Sequence, residues 1–294
     1  MTADVEILAP PSDGVSSMRF SAHGSLLVAS WDASLRVYDG ARLRSRVDLT
    51  TNQAATVGRH DAAVRSVHYS KEYGLAVSGG WDGAVKVWDI RNGGNAKIYE
   101  AKVDGKVFAM DLRRHLLVVA SSTRQVGVYD LRNFSNPLET RESPLKYQTR
   151  CVSLLPSLDG FAMASIEGRV ALEYFDDTGA EKKRSYAFKC HRGKVDDEVV
   201  IYPVNTIAFH PTLGTFATGG CDGVVNFWDG DNKKRITQLP KFPTSISALE
   251  FNHDGSVLAV AASYTYEEGE KDHPNDAIFL HSVQPSEVQP KRKA

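Results

Sequence analysis

In six short stretches of the chain, apolar and polar residues alternate one by one. They are GVSSMRFS at 14–21, AVRSVHYS at 63–70, KVFAMDLR at 106–113, TRCVSLLP at 149–156, PVNTIAFH at 203–210 and SISALEFN at 245–252. Alternation with period two puts every second side chain on one face. With β-branched and aromatic enrichment, it predicts β-strands. A second apolar run follows each: SLLVAS, GLAVSGG, LLVVASS, GFAMAS, GTFATGG and SVLAVAAS. A turn and a third strand come next, usually ending in an aromatic residue and Asp. The endings are Tyr38-Asp39, Trp88-Asp89, Tyr129-Asp130, Phe175-Asp176 and Trp228-Asp229, spaced 50, 41, 46 and 53 residues apart. No sustained 3.6-residue period interrupts the strands.

Strand-rich units of roughly 40–45 residues with a Trp-Asp signature resemble the blades of WD-repeat β-propellers, so the expected fold class is all-β. Such blades carry a hydrogen-bonded set, which here falls on His60, Ser78, Asp82 and Trp88. A second set would be Thr218, Asp222 and Trp228, with His191 as its histidine across a longer loop. The last copy has three strands, near 245–251, 256–262 and 277–282, and DVEIL at 4–8 can supply the fourth. Both ends of the chain would then share one blade, closing the ring and leaving no open edge. Six copies are countable. The interval from Asp39 to His60 holds one outer strand and a loop at most. At ~3.3 Å per residue and ~5 residues per strand, four strands do not fit there. The expected organisation is a single propeller domain over 1–284 and a short basic tail over 285–294.

The fourth copy departs from the others. Where two copies read Asp-Gly followed by a small or apolar residue, it reads Glu167-Gly168-Arg169, and Glu173 stands where they have Trp88 and Trp228. Successive strands reverse direction. Arg169 in the turn, Arg150 near the start of the first strand and Lys189 at the end of the fourth should therefore gather at one end of the blade, with Arg192 close by. Two guanidiniums and an ammonium suit a doubly charged phosphoryl group. Glu173 would be a counter-charge for one of them. The plainer reading is a set of solvated surface charges. Trp31 and Trp81 precede the turn acids Asp32 and Asp82. They are either exposed anchors for a peptide or packing between blades. Ser16, Arg65, Phe108, Arg150, Asn205 and Ser247 form a column of first-strand residues facing the channel mouth, locally positive through its two arginines. CHRGKVDDEVVI at 190–201 reads as a long loop over the cations, and the acidic stretch 264–277 as a solvated insertion.

Bulk composition is that of an ordinary globular protein: 294 residues, 42% hydrophobic, 24% charged, net charge −1. Near-neutrality gives no pull towards nucleic acid or an anionic membrane, so charge recognition must be local. Three cysteines, Cys151, Cys190 and Cys221, without CxxC spacing suit reduced thiols inside a cell. The N-terminus does not read as a signal peptide, and no apolar stretch is long enough to span a membrane. Asn133-Phe134-Ser135 matches a glycosylation sequon that has no use without secretion. No phosphate-binding loop, metal spacing or nucleophile elbow is present, so neither catalysis nor a cofactor is expected.

Longer strings narrow the resemblance. SPLKYQTRCVSLLP, ASIEGRVALEYFDD, YAFKCHR, YPVNTIAFHPTLGTFATGG and SYTYEEGEKDHPNDAIFL are similar, over essentially the whole chain, to the mitotic-checkpoint propeller family named "budding uninhibited by benzimidazoles", third member. The resemblance implies a non-enzymatic adaptor, monomeric within hetero-complexes, in the nucleus and at kinetochores, with the cytoplasm also open to it. Its implied partners are GLEBS segments of checkpoint kinases and pseudokinases, and threonine-phosphorylated MELT repeats of the kinetochore scaffold. The family's GLEBS contacts fall on Trp31, Trp81 and Arg150, and its phosphothreonine contacts on Arg169 and Lys189 with Arg150 adjacent. A sister family, the messenger-RNA export propeller of nuclear pores, shares YQTRC and SIEGRV and would imply a nucleoporin GLEBS segment instead. The family has seven blades. The copy missing here would be the second.

Overall fold

The computed structural model describes residues 4–7, 10–20, 26–30, 35–38, 46–48, 58–89, 91, 96–176 and 184–290. Each alternating stretch opens a four-stranded antiparallel sheet, and among the described residues there are six such sheets. After β1 (Val5–Glu6), the first sheet holds β2 (Val15–Phe20), β3 (Leu26–Ser30), β4 (Leu35–Tyr38) and β5 (Arg46–Asp48). The second holds β6 (Val64–Ser70), β7 (Leu75–Gly80), β8 (Ala84–Asp89) and β9 (Lys97–Lys102). The third holds β10 (Val107–Arg113), β11 (Leu116–Ser121), β12 (Gln125–Asp130) and β13 (Glu139–Glu142). The fourth holds β14 (Thr149–Leu154), β15 (Gly160–Ser165), β16 (Arg169–Tyr174) and β17 (Tyr186–Lys189). A hairpin, β18 (Arg192–Val195) and β19 (Glu198–Ile201), precedes the fifth sheet of β20 (Val204–Phe209), β21 (Phe216–Gly220), β22 (Val225–Asp229) and β23 (Lys234–Gln238). The sixth has β24 (Ile246–Phe251), β25 (Val257–Ala262) and β26 (Ala277–Ser282). Its fourth strand is β1, with Val5 opposite Leu280 and Glu6 opposite Phe279. The N-terminal segment thus completes the last sheet, as the strand count requires.

Two expectations change. Residues 190–201 are not a long loop. Val195 pairs with Glu198, and the two residues between, Asp196 and Asp197, both take positive φ (49° and 64°). That is the tight turn whose twist matches antiparallel strands, and Asp tolerates it. The chain from 285 is not all free tail. Pro285–Val288 forms one helical turn, α1, with a capping box between Gln284 and Glu287. Val288 is buried against the fifth sheet's core, and its carbonyl accepts the Thr215 hydroxyl at 2.8 Å.

All six first strands share one irregularity. The pairing slips between Val15 and Ser17, Val64 and Ser66, Val107 and Ala109, Thr149 and Cys151, Val204 and Thr206, and Ile246 and Ala248. The residues left over are Ser16, Arg65, Phe108, Arg150, Asn205 and Ser247. These are the column that the sequence pointed to. A β-bulge bends its strand and re-aims the extra residue, so the column is a backbone feature and not only an alternation.

The described chain forms two compact units, Met1–Asn52 with Cys190–Ala294, and Gln53–Lys189. Within each, a sheet buries one apolar face against the next. Val77, Val85 and Val87 of the second sheet pack on Met110, Leu117 and Val119 of the third. Val118, Val126 and Val128 of the third pack on Val152, Leu154 and Met163 of the fourth. Polar sets brace two sheets. His60 Nδ1 lies 3.0 Å from Asp82 and its Nε2 2.7 Å from the Ser78 hydroxyl, which also accepts the Trp88 indole N–H at 2.8 Å. Burial raises the Asp82 carboxyl's pKa, but the His60 bond and the Asp61 and Ala84 amides outweigh it and hold it at about 2. In the fifth sheet, His191 does supply the histidine. It is 2.9 Å from Asp222 and 2.8 Å from Thr218, which takes the Trp228 N–H at 2.9 Å.

Candidate functional site: a cationic row at one end of the fourth sheet

The register of the fourth sheet brings the predicted cations together. Thr149 pairs with Ser165, Ser165 with Arg169, and Arg169 with Lys189, so one row crosses all four strands. Directly opposed residues on antiparallel strands share a face, their Cβ atoms about 5 Å apart. Arg169 and Lys189 are therefore like charges placed side by side, an arrangement that costs stability. Arg150 is the bulged residue beside Thr149. The turn before Arg169 is set by Gly168 at φ 62° and by the Ile166 amide, which donates to the Gln148 carbonyl. Lys189 is exposed, and Arg150 and Arg169 are half-buried.

Counter-charge comes from a residue the sequence reading passed over. Glu167, two before Arg169, places its carboxylate 3.5 Å from the Arg169 Nε. Glu173 does not hold this cluster. It pairs with Arg141 of β13 at 3.2 Å and sits opposite Phe161, towards the other end of its strand. Its strand position explains the substitution. Met163 occupies the place of Ser78 and Thr218, so a Trp at 173 would find no hydroxyl to receive its N–H. Phe161, Phe175 and the Arg141 guanidinium fill the space.

A second pair of cations adjoins the row. Arg65, the bulged residue of the second sheet, has its pKa lowered first by the surrounding protein and then by the charge of Arg150. Burial pushes the Cys151 thiol up to about 12, against the pull of both arginines. That thiol is inert at neutral pH. Trp81 is exposed, and the Lys106 ammonium lies 4.8 Å from its ring centroid. The indole is thus on the surface and not between sheets. Trp31 lies outside the described residues, as does the end of the basic tail. Arg192 belongs to the other compact unit. Among the described residues, no cluster of His, Cys, Asp or Glu could hold a metal ion, and no helix is long and apolar enough to cross a membrane.

Comparison with known proteins bears on both fold and role. The WD domain, G-beta repeat family model matches residues 5–39, 52–89 and 183–229. The crystal structure of RRP9 WD40 repeats is similar at a TM-score of 0.62 and 15% identity, covering 95% of this chain and 97% of that chain. This likeness shows the fold, a WD40 propeller. "Mitotic checkpoint protein BUB3.1" of Arabidopsis thaliana is 46% identical over 99% of this chain and 96% of its own length. "Mitotic checkpoint protein bub3" of Dictyostelium discoideum is 43% identical over 95% and 94%. "mRNA export factor GLE2" of Chaetomium thermophilum is 34% identical over 98% and 92%. The first of these alignments runs over 327 residues against a chain of 294, so that relative carries sequence to which nothing here corresponds. With the checkpoint proteins well above the export factor in identity, the chain belongs to the BUB3 family of mitotic checkpoint WD40 proteins.

Proposed function

We propose that this protein is a non-enzymatic adaptor of the mitotic checkpoint, and that the cationic row of its fourth sheet takes a phosphothreonine. Arg169, Lys189 and Arg150 would grip the phosphoryl group, matching the threonine-phosphorylated MELT repeats that the family resemblance implies. The observation that carries this reading is the direct pairing of Arg169 with Lys189. Like charges held side by side in a folded sheet are a standing cost. A dianion removes that cost and adds charge-assisted hydrogen bonds. GLEBS segments of checkpoint kinases and pseudokinases would use Trp31, Trp81 and Arg150, with the exposed Trp81 indole as an apolar anchor. Such partners place the protein in the nucleus and at kinetochores.

The test is calorimetric titration with a threonine-phosphorylated peptide and its unphosphorylated twin. The phosphorylated form is expected to bind more tightly, and Arg169→Ala to remove most of the difference. Bonds to a charged group are worth ~1.5–3 kcal/mol each, so one lost contact weakens binding roughly tenfold to a hundredfold. Equal affinity for both peptides, or an Arg169→Ala chain that still discriminates, would end the proposal. Binding should also weaken with added salt, since the row is partly exposed.

A further inference from the structure

The acidic stretch between β25 and β26 is a built structure and not merely a solvated insertion. Tyr264 is buried, and its hydroxyl accepts the Glu268 N–H at 3.0 Å and donates to the Gly269 carbonyl at 2.8 Å. Glu267 ties the loop to the chain just before β24. Its carboxylate accepts the Ser245 hydroxyl, the Thr265 hydroxyl at 2.8 Å and the Thr265 amide at 3.2 Å.

Three rings gather on this frame. Tyr264 lies 5.4 Å from Tyr266 and 5.1 Å from His273, centroid to centroid, and Tyr266 meets His273 edge-on at 6.5 Å. Tyr266 is 63% exposed and has φ at 57°. A bulky residue rarely takes that left-handed conformation, which costs free energy, and here it leaves a large ring in solvent.

The rings already hold a cation. The Lys271 ammonium lies 4.9 Å from the Tyr264 centroid and pairs with Glu268, a bond that raises the lysine's pKa. A ring face attracts positive charge through its π electrons. Lys271 is exposed, so it can be displaced. It is also the only lysine or arginine in 264–277, against Glu267, Glu268, Glu270, Asp272 and Asp276.

We propose that this loop docks a basic peptide segment of another protein, with an arginine of that segment replacing Lys271 on the Tyr264, Tyr266 and His273 rings. A guanidinium suits the place because it stacks on aromatic faces while its N–H groups bond to carboxylates. The loop belongs to the other compact unit from the cationic row and selects charge of the opposite sign, so it does not rest on the phosphothreonine reading.

Fluorescence anisotropy of the full chain with a labelled oligo-arginine peptide tests this, an oligo-citrulline peptide of equal length being the neutral control. The arginine peptide should bind and the citrulline peptide should not. Tyr266→Asn removes a ring without changing charge, and asparagine accepts the left-handed backbone. It should weaken binding about two- to thirtyfold, the range of a cation–ring contact. Lys271→Gln removes the resident competitor and should tighten binding more than the charge-matched Lys234→Gln, at an exposed lysine of β23. No binding of the arginine peptide, equal binding of the two peptides, or an unchanged affinity in Tyr266→Asn overturns the proposal. So does an equal gain in the two lysine variants, which would mark plain attraction between net charges.

Discussion

The Ser78 hydroxyl joins three side chains. It receives the Trp88 N–H, faces His60 Nε2, and through His60 is tied to Asp82. Ser78→Ala leaves a buried indole N–H and an imidazole nitrogen without partners, at ~1–3 kcal/mol. The denaturant midpoint of the variant should fall accordingly, and an unchanged midpoint would remove the tetrad's structural role. Glu173 tests the opposite case. Its partner is Arg141, away from the cationic row, so Glu173→Gln should lower stability and leave the proposed phosphopeptide affinity unchanged. A loss of affinity in that variant would return Glu173 to the site.

At the scale of elements, the sixth sheet joins both ends of the chain through one imidazole. His281 of β26 lies 2.6 Å from Asp4, just before β1, by its Nδ1, and 2.9 Å from Glu287 of α1 by its Nε2. It packs near Phe227 of β22. Burial lowers its pKa, but the two carboxylates prevail and the net shift is upward. Only the imidazolium can donate to both acids. With the folded-state pKa raised, its contribution is fully present below the ordinary histidine value of ~6.5 and is lost as pH rises through the folded value. The stability gap between the natural chain and His281→Gln should therefore be widest in mild acid and narrow towards alkaline pH. Urea unfolding at a series of pH values reads this directly, and a gap that widens with pH would refute the clamp.

At the scale of the molecule, the two implied binding modes make different demands. The cationic row proposed to take a phosphoryl group lies within one sheet, where backbone pairing sets the spacing of Arg169 and Lys189. The proposed GLEBS contacts, Trp31 and Trp81, belong to two different copies of the repeat, and the family resemblance implies a further copy between them in sequence. Compared with a relative carrying that extra sequence, this chain should keep its phosphopeptide affinity and bind the GLEBS segment more weakly. Separate titrations of the two peptides check it, and equal losses would sink the distinction.

Much of this was legible in the residues. Period-two alternation gave the strands, the Trp-Asp spacing gave the repeat, and the incomplete last copy required β1. The tetrads and the shared end of Arg150, Arg169 and Lys189 could be placed because strand reversal is a local rule: once strand lengths are known, each turn has a definite end of the sheet. What needed the tertiary structure was everything set by a partner distant in sequence. Glu173 binds Arg141 of a neighbouring sheet. The six first-strand residues are bulged, since bulging is a property of a pair of strands. Val67 and Tyr69 hold the apolar positions of an alternating stretch and are exposed. Alternation tells which face of a strand is apolar, but burial depends on whether another sheet arrives to cover it, and no local pattern carries that information.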